Sequence, residues 1–142
     1  MISDKYNLQR FLDAQKDVYD QVIPELRNGR KMSHWMWFIF PQIAGLGFSS
    51  NSEFFAISNQ DEARKFLGHP ILGNRLRECV GLVLQLDGRS AMDIFGAIDA
   101  MKLASSMTLF ACISNTDSIY QQVLDKYFDG HRDDKTLRLL SD

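Results

Sequence analysis

Apolar side chains recur at three- and four-residue intervals through residues 7–26. Leu8, Phe11, Leu12, Val18, Tyr19, Val22, Ile23 and Leu26 share one stripe with Gln15, the spacing of an amphipathic helix. Asn7 stands where an N-cap would, Asn28-Gly29 is suited to a left-handed stop, and Pro24 is expected to kink or tighten the last turn. From Trp35 to Phe40 the chain is apolar at every position, so periodicity does not separate a buried helix from a buried strand. A short helix capped by Ser33 and ending before Pro41 is the favoured reading. Residues 43–49, with Gly45 and Gly47, then form a loop.

Ser50 with Glu53 and Asn59 with Glu62 have capping-box spacing and open two further helical pieces. Gly68 suits the end of the second and Pro70 the first turn of the next, which runs through Leu72, Leu76, Cys79, Val80, Val83 and Leu84 towards Asp87-Gly88. Residues 90–95 read as a short capped helix. Residues 99–113 are apolar on nearly every side, which marks a helix in the middle of a bundle. Asp117 is placed to cap a helix carrying Ile119, Val123, Leu124, Tyr127 and Phe128, and residues 137–140 suggest a last short one. With no alternating segments joined by hairpin turns and no repeat period, the pattern predicts an all-α fold. It is an irregular bundle of about six or seven helices forming one domain over residues 1–142.

Composition narrows the function more than the fold. A 142-residue chain that is 45% hydrophobic and 24% charged can bury one core without disulfides or metal. A net charge of −2 offers no general attraction to nucleic acid or anionic membrane. The N-terminus lacks a secretory pattern and the apolar run at residues 32–45 is too short and interrupted to span a bilayer, so the expected address is the cytoplasm, with no membrane partner. Cys79 and Cys112 lack paired spacing and read as buried thiols in a reducing compartment.

The most unusual segment sets Arg30, Lys31 and His34 directly before Trp35, Trp37 and Phe38, with Gln42 following. Guanidinium and ammonium groups suit phosphate oxygens, an indole face stacks on a planar ring, and an amide reads an edge by hydrogen bonds. The competing reading makes the aromatics core and the cations a solvated helix end. Lys102 stands on an otherwise apolar helix, with Ser105 and Ser106 three and four residues on and so on the same face. It either binds an anion or serves catalysis, or else snorkels to water while the hydroxyls bond back to the helix. His34, His69 and His131 have no metal-ligand spacing, and no motif calls for a cofactor.

Several blocks resemble the bacterial family called domain of unknown function 1810. They are Gly29-Arg30-Lys31, the string from Ser33 to Gln42 (SHWMWFIFPQ), Gly45-Leu46-Gly47, His69-Pro70, Ile94-Phe95-Gly96, and Lys102-Leu103 with residues 105–110. The resemblance implies a mainly helical fold and no assigned activity. Ala14-Gln15 and Lys102 with Met107 are in addition similar to short elements of the NADAR family, which is linked to ADP-ribose and N-glycoside chemistry.

The leading expectation is therefore a cytoplasmic domain that binds a phosphorylated, nucleotide-like small molecule, with hydrolysis or transfer at an N-glycosidic bond as the reaction if there is one. Arg30, Lys31 and Lys102 hold phosphate, Trp35 or Trp37 stacks, Gln42 and Ser105 line the pocket, and His34 and Lys102 are the candidate reacting groups. The alternative is an interaction or homodimerisation module that docks a protein partner through the Trp35/Trp37 segment.

Overall fold

The computed structural model describes residues 4–141, and every regular element among them is helical. In chain order these are α1 (Gln9–Gln15), α2 (Tyr19–Arg27), α3 (Met36–Ile39), α4 (Ser50–Phe54), α5 (Gln60–Gly68), α6 (Leu72–Gln85), α7 (Ala91–Cys112), α8 (Ile119–Tyr127) and α9 (Asp134–Ser141). A single parallel bridge joins Ile43 to Ile57 and ties the loop after α3 to the loop before α5.

Among the described residues nine helices thus replace the six or seven expected. The long N-terminal helix divides at residues 16–18 into α1 and α2, although the apolar stripe continues across the break. Pro24 sits inside α2. The predicted break between helices over 90–95 and 99–113 is present within the span of α7, as a kink at Gly96, whose backbone is not helical. Several caps shift by one residue. Ser49 rather than Ser50 caps α4, Ser118 rather than Asp117 caps α8, and Ser33 caps nothing, because Trp35 precedes α3. Asn7 is not a cap either: it adopts φ 55°, and the carboxylate of Asp4 accepts from the N–H groups of Leu8 (2.6 Å) and Gln9 (3.1 Å). At Ser49, Ser118 and Asp4 a hydroxyl or carboxylate thereby reaches an orphan N–H of the first turn, whereas α3 has no side-chain cap.

The core is built around the fully buried Phe11, Trp35, Phe40, Phe66 and Phe110. Its centre is α7, which is long and apolar enough by composition to cross a bilayer but has 61% of its most apolar stretch buried inside the fold. A buried cation helps to close the structure. The Arg10 guanidinium donates to the carbonyls of Tyr6, Asn7, Phe54 and Ala56 and pairs with Glu62 at 2.8 Å. Glu62 also accepts from Ser58, so α1 is fastened to the α4–α5 connection by a network in which the buried charges are compensated. Where α5 meets α6, a Cβ at Gly73 would lie 2.0 Å from the carbonyl oxygen of Leu67, so only glycine permits this approach.

Candidate functional site

The site is assembled by a carboxylate that sequence reasoning passed over. Glu25 on α2 accepts hydrogen bonds from Met32 N (2.6 Å), Ser33 N (2.9 Å), Ser33 Oγ (2.6 Å) and Trp35 Nε1 (3.0 Å). Burial opposes its charged form, but these donors outweigh that and hold the carboxyl below its ordinary range. The clamp fixes the turn before α3, and Lys31 N adds a bond to Ile94 O of α7 at 2.7 Å. Lys31 is thereby laid against α7, where its ammonium pairs with Asp99 Oδ2 at 2.8 Å and donates to Ser33 O.

The other oxygen of Asp99 lies 3.8 Å from Lys102 Nζ, one helical turn on. Lys102 stands over the Trp37 ring, 4.9 Å from its centroid. Its side chain is only 22% exposed, yet no acceptor lies within hydrogen-bond distance of its ammonium among the described residues. The Trp37 Nε1–H is likewise buried without a partner. The indole donor is therefore unsatisfied, which is costly unless something else accepts from it, while the neighbouring ammonium is reached by solvent.

Two clefts border this region. The first, of about 420 Å³, is lined by Lys31, His34, Trp37, Phe95 and Asp99 among others. The second, of about 300 Å³, is lined by Gln42, Lys102, Ser105, Asp133 and Lys135, with Leu46 and Gly47 at its edge. Ile98 is common to both and stands 72% exposed beside the equally exposed Met101. In the second cleft Asp133 Oδ2 is already engaged by Thr136 N (3.0 Å), Thr136 Oγ (2.5 Å) and Ser105 Oγ (3.3 Å). Among the described residues the side chains of Gln42 and Lys135 have no hydrogen-bonding partner there.

Several predicted site residues are placed otherwise than expected. Trp35 is fully buried with its indole N–H on Glu25, so it is a core anchor and has no face to offer a ligand. Trp37, only partly buried, keeps the stacking position. Arg30 is exposed and lines neither cleft. Lys31 is already neutralised by Asp99. His34 is exposed at the first cleft while Lys102, Gln42 and Ser105 line the second, so the single shared pocket becomes two adjoining ones. Gln15, the counterpart of the NADAR element, is buried with its amide on Phe38 O and Arg75, which makes it structural. Sequence reasoning missed Asp99, although its position three residues before Lys102 was a usable signal. It also missed Asp133 and Lys135, which only the return of α9 onto α7 brings to the cleft.

The comparisons with known proteins agree with this architecture and add no activity. No curated protein matches the chain. The crystal structure of the conserved hypothetical protein Rv1873 from Mycobacterium tuberculosis is 48% identical, covers 98% of this chain and 99% of its own, and superposes with a TM-score of 0.96. The family described as "Protein of unknown function (DUF1810)" matches residues 5–140, and the chain belongs to that family.

Proposed function

We propose that the paired clefts around Trp37 and Lys102 bind a phosphorylated, nucleotide-like small molecule of the cytoplasm. The observation that carries this reading is the Trp37 indole N–H, buried without a partner, beside the Lys102 ammonium, whose nearest countercharge among the described residues stands 3.8 Å away. A phosphate oxygen at Lys102 and Lys135 supplies the missing acceptor. A planar ring in the first cleft meets Trp37 and Phe95, and Gln42 supplies an amide at the edge of the second. Each cleft falls within or near the roughly 300–1,000 Å³ usual for small-molecule sites. Among the described residues His34 has no hydrogen-bonding partner to orient it, so binding is better supported than reaction at an N-glycosidic bond.

The test is a thermal-shift panel of nucleotides, NAD, ADP-ribose, sugar phosphates and nucleosides against the protein, Lys102→Ala and Arg30→Ala. A ligand at 100 times its Kd should stabilise the native state by about 2.7 kcal/mol. Lys102→Ala should abolish the shift and Arg30→Ala should leave it intact. No response across the panel overturns the proposal. A second reading, an interface for a protein partner or another copy, is favoured by the exposure of Ile98 and Met101 on the adjoining face of α7. Sedimentation of the free protein as a dimer that Met101→Glu dissociates would support it.

A further inference from the structure

We infer that Asp99 selects the sugar of the ligand: its free carboxylate oxygen accepts from a ribose hydroxyl, so the site takes ribonucleotides and discriminates against their deoxy forms. The inference rests on the reading above, in which the ring lies in the first cleft and the phosphate in the second. What joins ring to phosphate in a nucleotide is the sugar, and Asp99 stands at that junction. It lines the first cleft, and its Oδ1 is 3.8 Å from the ammonium of Lys102, which lines the second.

The two oxygens of Asp99 are used unequally. Oδ2 pairs with Lys31 at 2.8 Å, whereas Oδ1 has no donor within hydrogen-bond distance among the described residues. An ionised carboxylate only accepts, so the ligand group that completes it is a donor. The surrounding charge narrows that donor. The ammonium groups of Lys31 and Lys102 flank this one carboxylate and repel a cationic ligand group, while the carboxylate itself repels a phosphate oxygen. A neutral hydroxyl meets neither objection, and its bond to an ionised acceptor is of the stronger kind. The Lys31 pair and a side chain only 20% exposed fix the direction of Oδ1 before a ligand arrives. The approach is open, since nothing lies within 4 Å of where a Cβ on Gly96, in the same cleft wall, would stand.

The experiment measures by calorimetry the binding of AMP, GMP, CMP and UMP and of their 2′,3′-dideoxy counterparts, to the wild-type protein and to Asp99→Asn/Lys31→Met. The second change of that variant removes the ammonium that the first would strand. Wild type should bind at least one ribonucleotide about tenfold or more tighter than its dideoxy counterpart, the loss of one charge-assisted hydrogen bond. The double variant offers the hydroxyl no ionised acceptor and should bind the two forms within about threefold of each other. Equal affinity of wild type for both forms overturns the inference and leaves nucleotide binding standing, and this comparison needs no variant. A sugar preference undiminished in the double variant overturns the assignment to Asp99. Binding of neither form overturns the inference together with the nucleotide reading of the site.

Discussion

Lys31 Nζ lies 2.8 Å from Asp99 Oδ2, with the two side chains 8% and 20% exposed. The same carboxylate is the nearest countercharge of Lys102. Asp99→Asn keeps the shape but leaves two ammonium groups without a negative partner, one of them in the interior. It should destabilise the protein by about 2 kcal/mol, or roughly 6 °C in Tm. Thermal unfolding of Asp99→Asn and of Asp99→Asn/Lys31→Met checks this. The second change removes the stranded charge and should restore a large part of the loss; failure to do so would mean the pair is not what stabilises this contact.

Glu25 gives the site a dependence on acid. Its carboxyl is held below the ordinary value of 4.5, so its contribution to stability is fully present above about pH 4.5 and is lost as pH falls through the lower folded value. Glu25→Gln offers one acceptor oxygen to the donors of Met32, Ser33 and Trp35, and should cost about 1 kcal/mol near neutrality. The gap between wild type and variant should shrink below pH 4.5 in urea unfolding. A gap that stays constant down to pH 3 would show that these donors do not depend on the charge.

The sequence carried the helical class and the outer limits of most helices because capping residues and three-four spacing are local signals. It did not carry the division at residues 16–18, since Val18, Tyr19 and Val22 continue the stripe of Leu8, Phe11 and Leu12 and periodicity does not register a change of axis. The candidate site was half legible. Lys102 and Trp37 stood out by composition, but the run from Trp35 to Phe40 offers two indoles in equivalent sequence settings. What separates them is Glu25, which binds one Nε1 and not the other. Asp133 and Lys135 reach the second cleft only through the packing of α9 on α7, a tertiary relation without a local mark.

The two cysteines should differ sharply in reactivity. Cys79 is fully buried beside Tyr19, and burial pushes its thiol up to about 12. Cys112, expected from the sequence to be buried, is instead partly exposed because it ends α7, with Arg132 Nη1 3.7 Å from its sulfur. At neutral pH a thiol-reactive chromophore should therefore titrate one cysteine in the native protein and two in denaturant. Cys112→Ser should abolish the native reaction. A native protein that releases two equivalents at one rate would contradict the burial of Cys79.

The bend in α7 rests on Gly96, whose φ of 79° and ψ of 167° fall in a region that essentially only glycine occupies. A Cβ there meets nothing within 4 Å, so Gly96→Ala isolates the backbone cost, about 1–3 kcal/mol of destabilisation. Gly81 is the counterpart: it lies inside α6 and is equally unobstructed. Gly81→Ala should stabilise by about 0.5–1 kcal/mol, because alanine loses less backbone freedom on entering a helix. The pair separates conformation from crowding, since neither variant creates a contact. Denaturant unfolding should give midpoints displaced in opposite directions with unchanged slopes. Gly96→Ala also bears on the first cleft, which Gly96, Ala97 and Ile98 help to line: forcing this segment into helical backbone reshapes that wall while leaving Lys102 on its own turn. A ligand that spans both clefts should bind Gly96→Ala more weakly than wild type after correction for stability, whereas one held by the second cleft alone should not distinguish them.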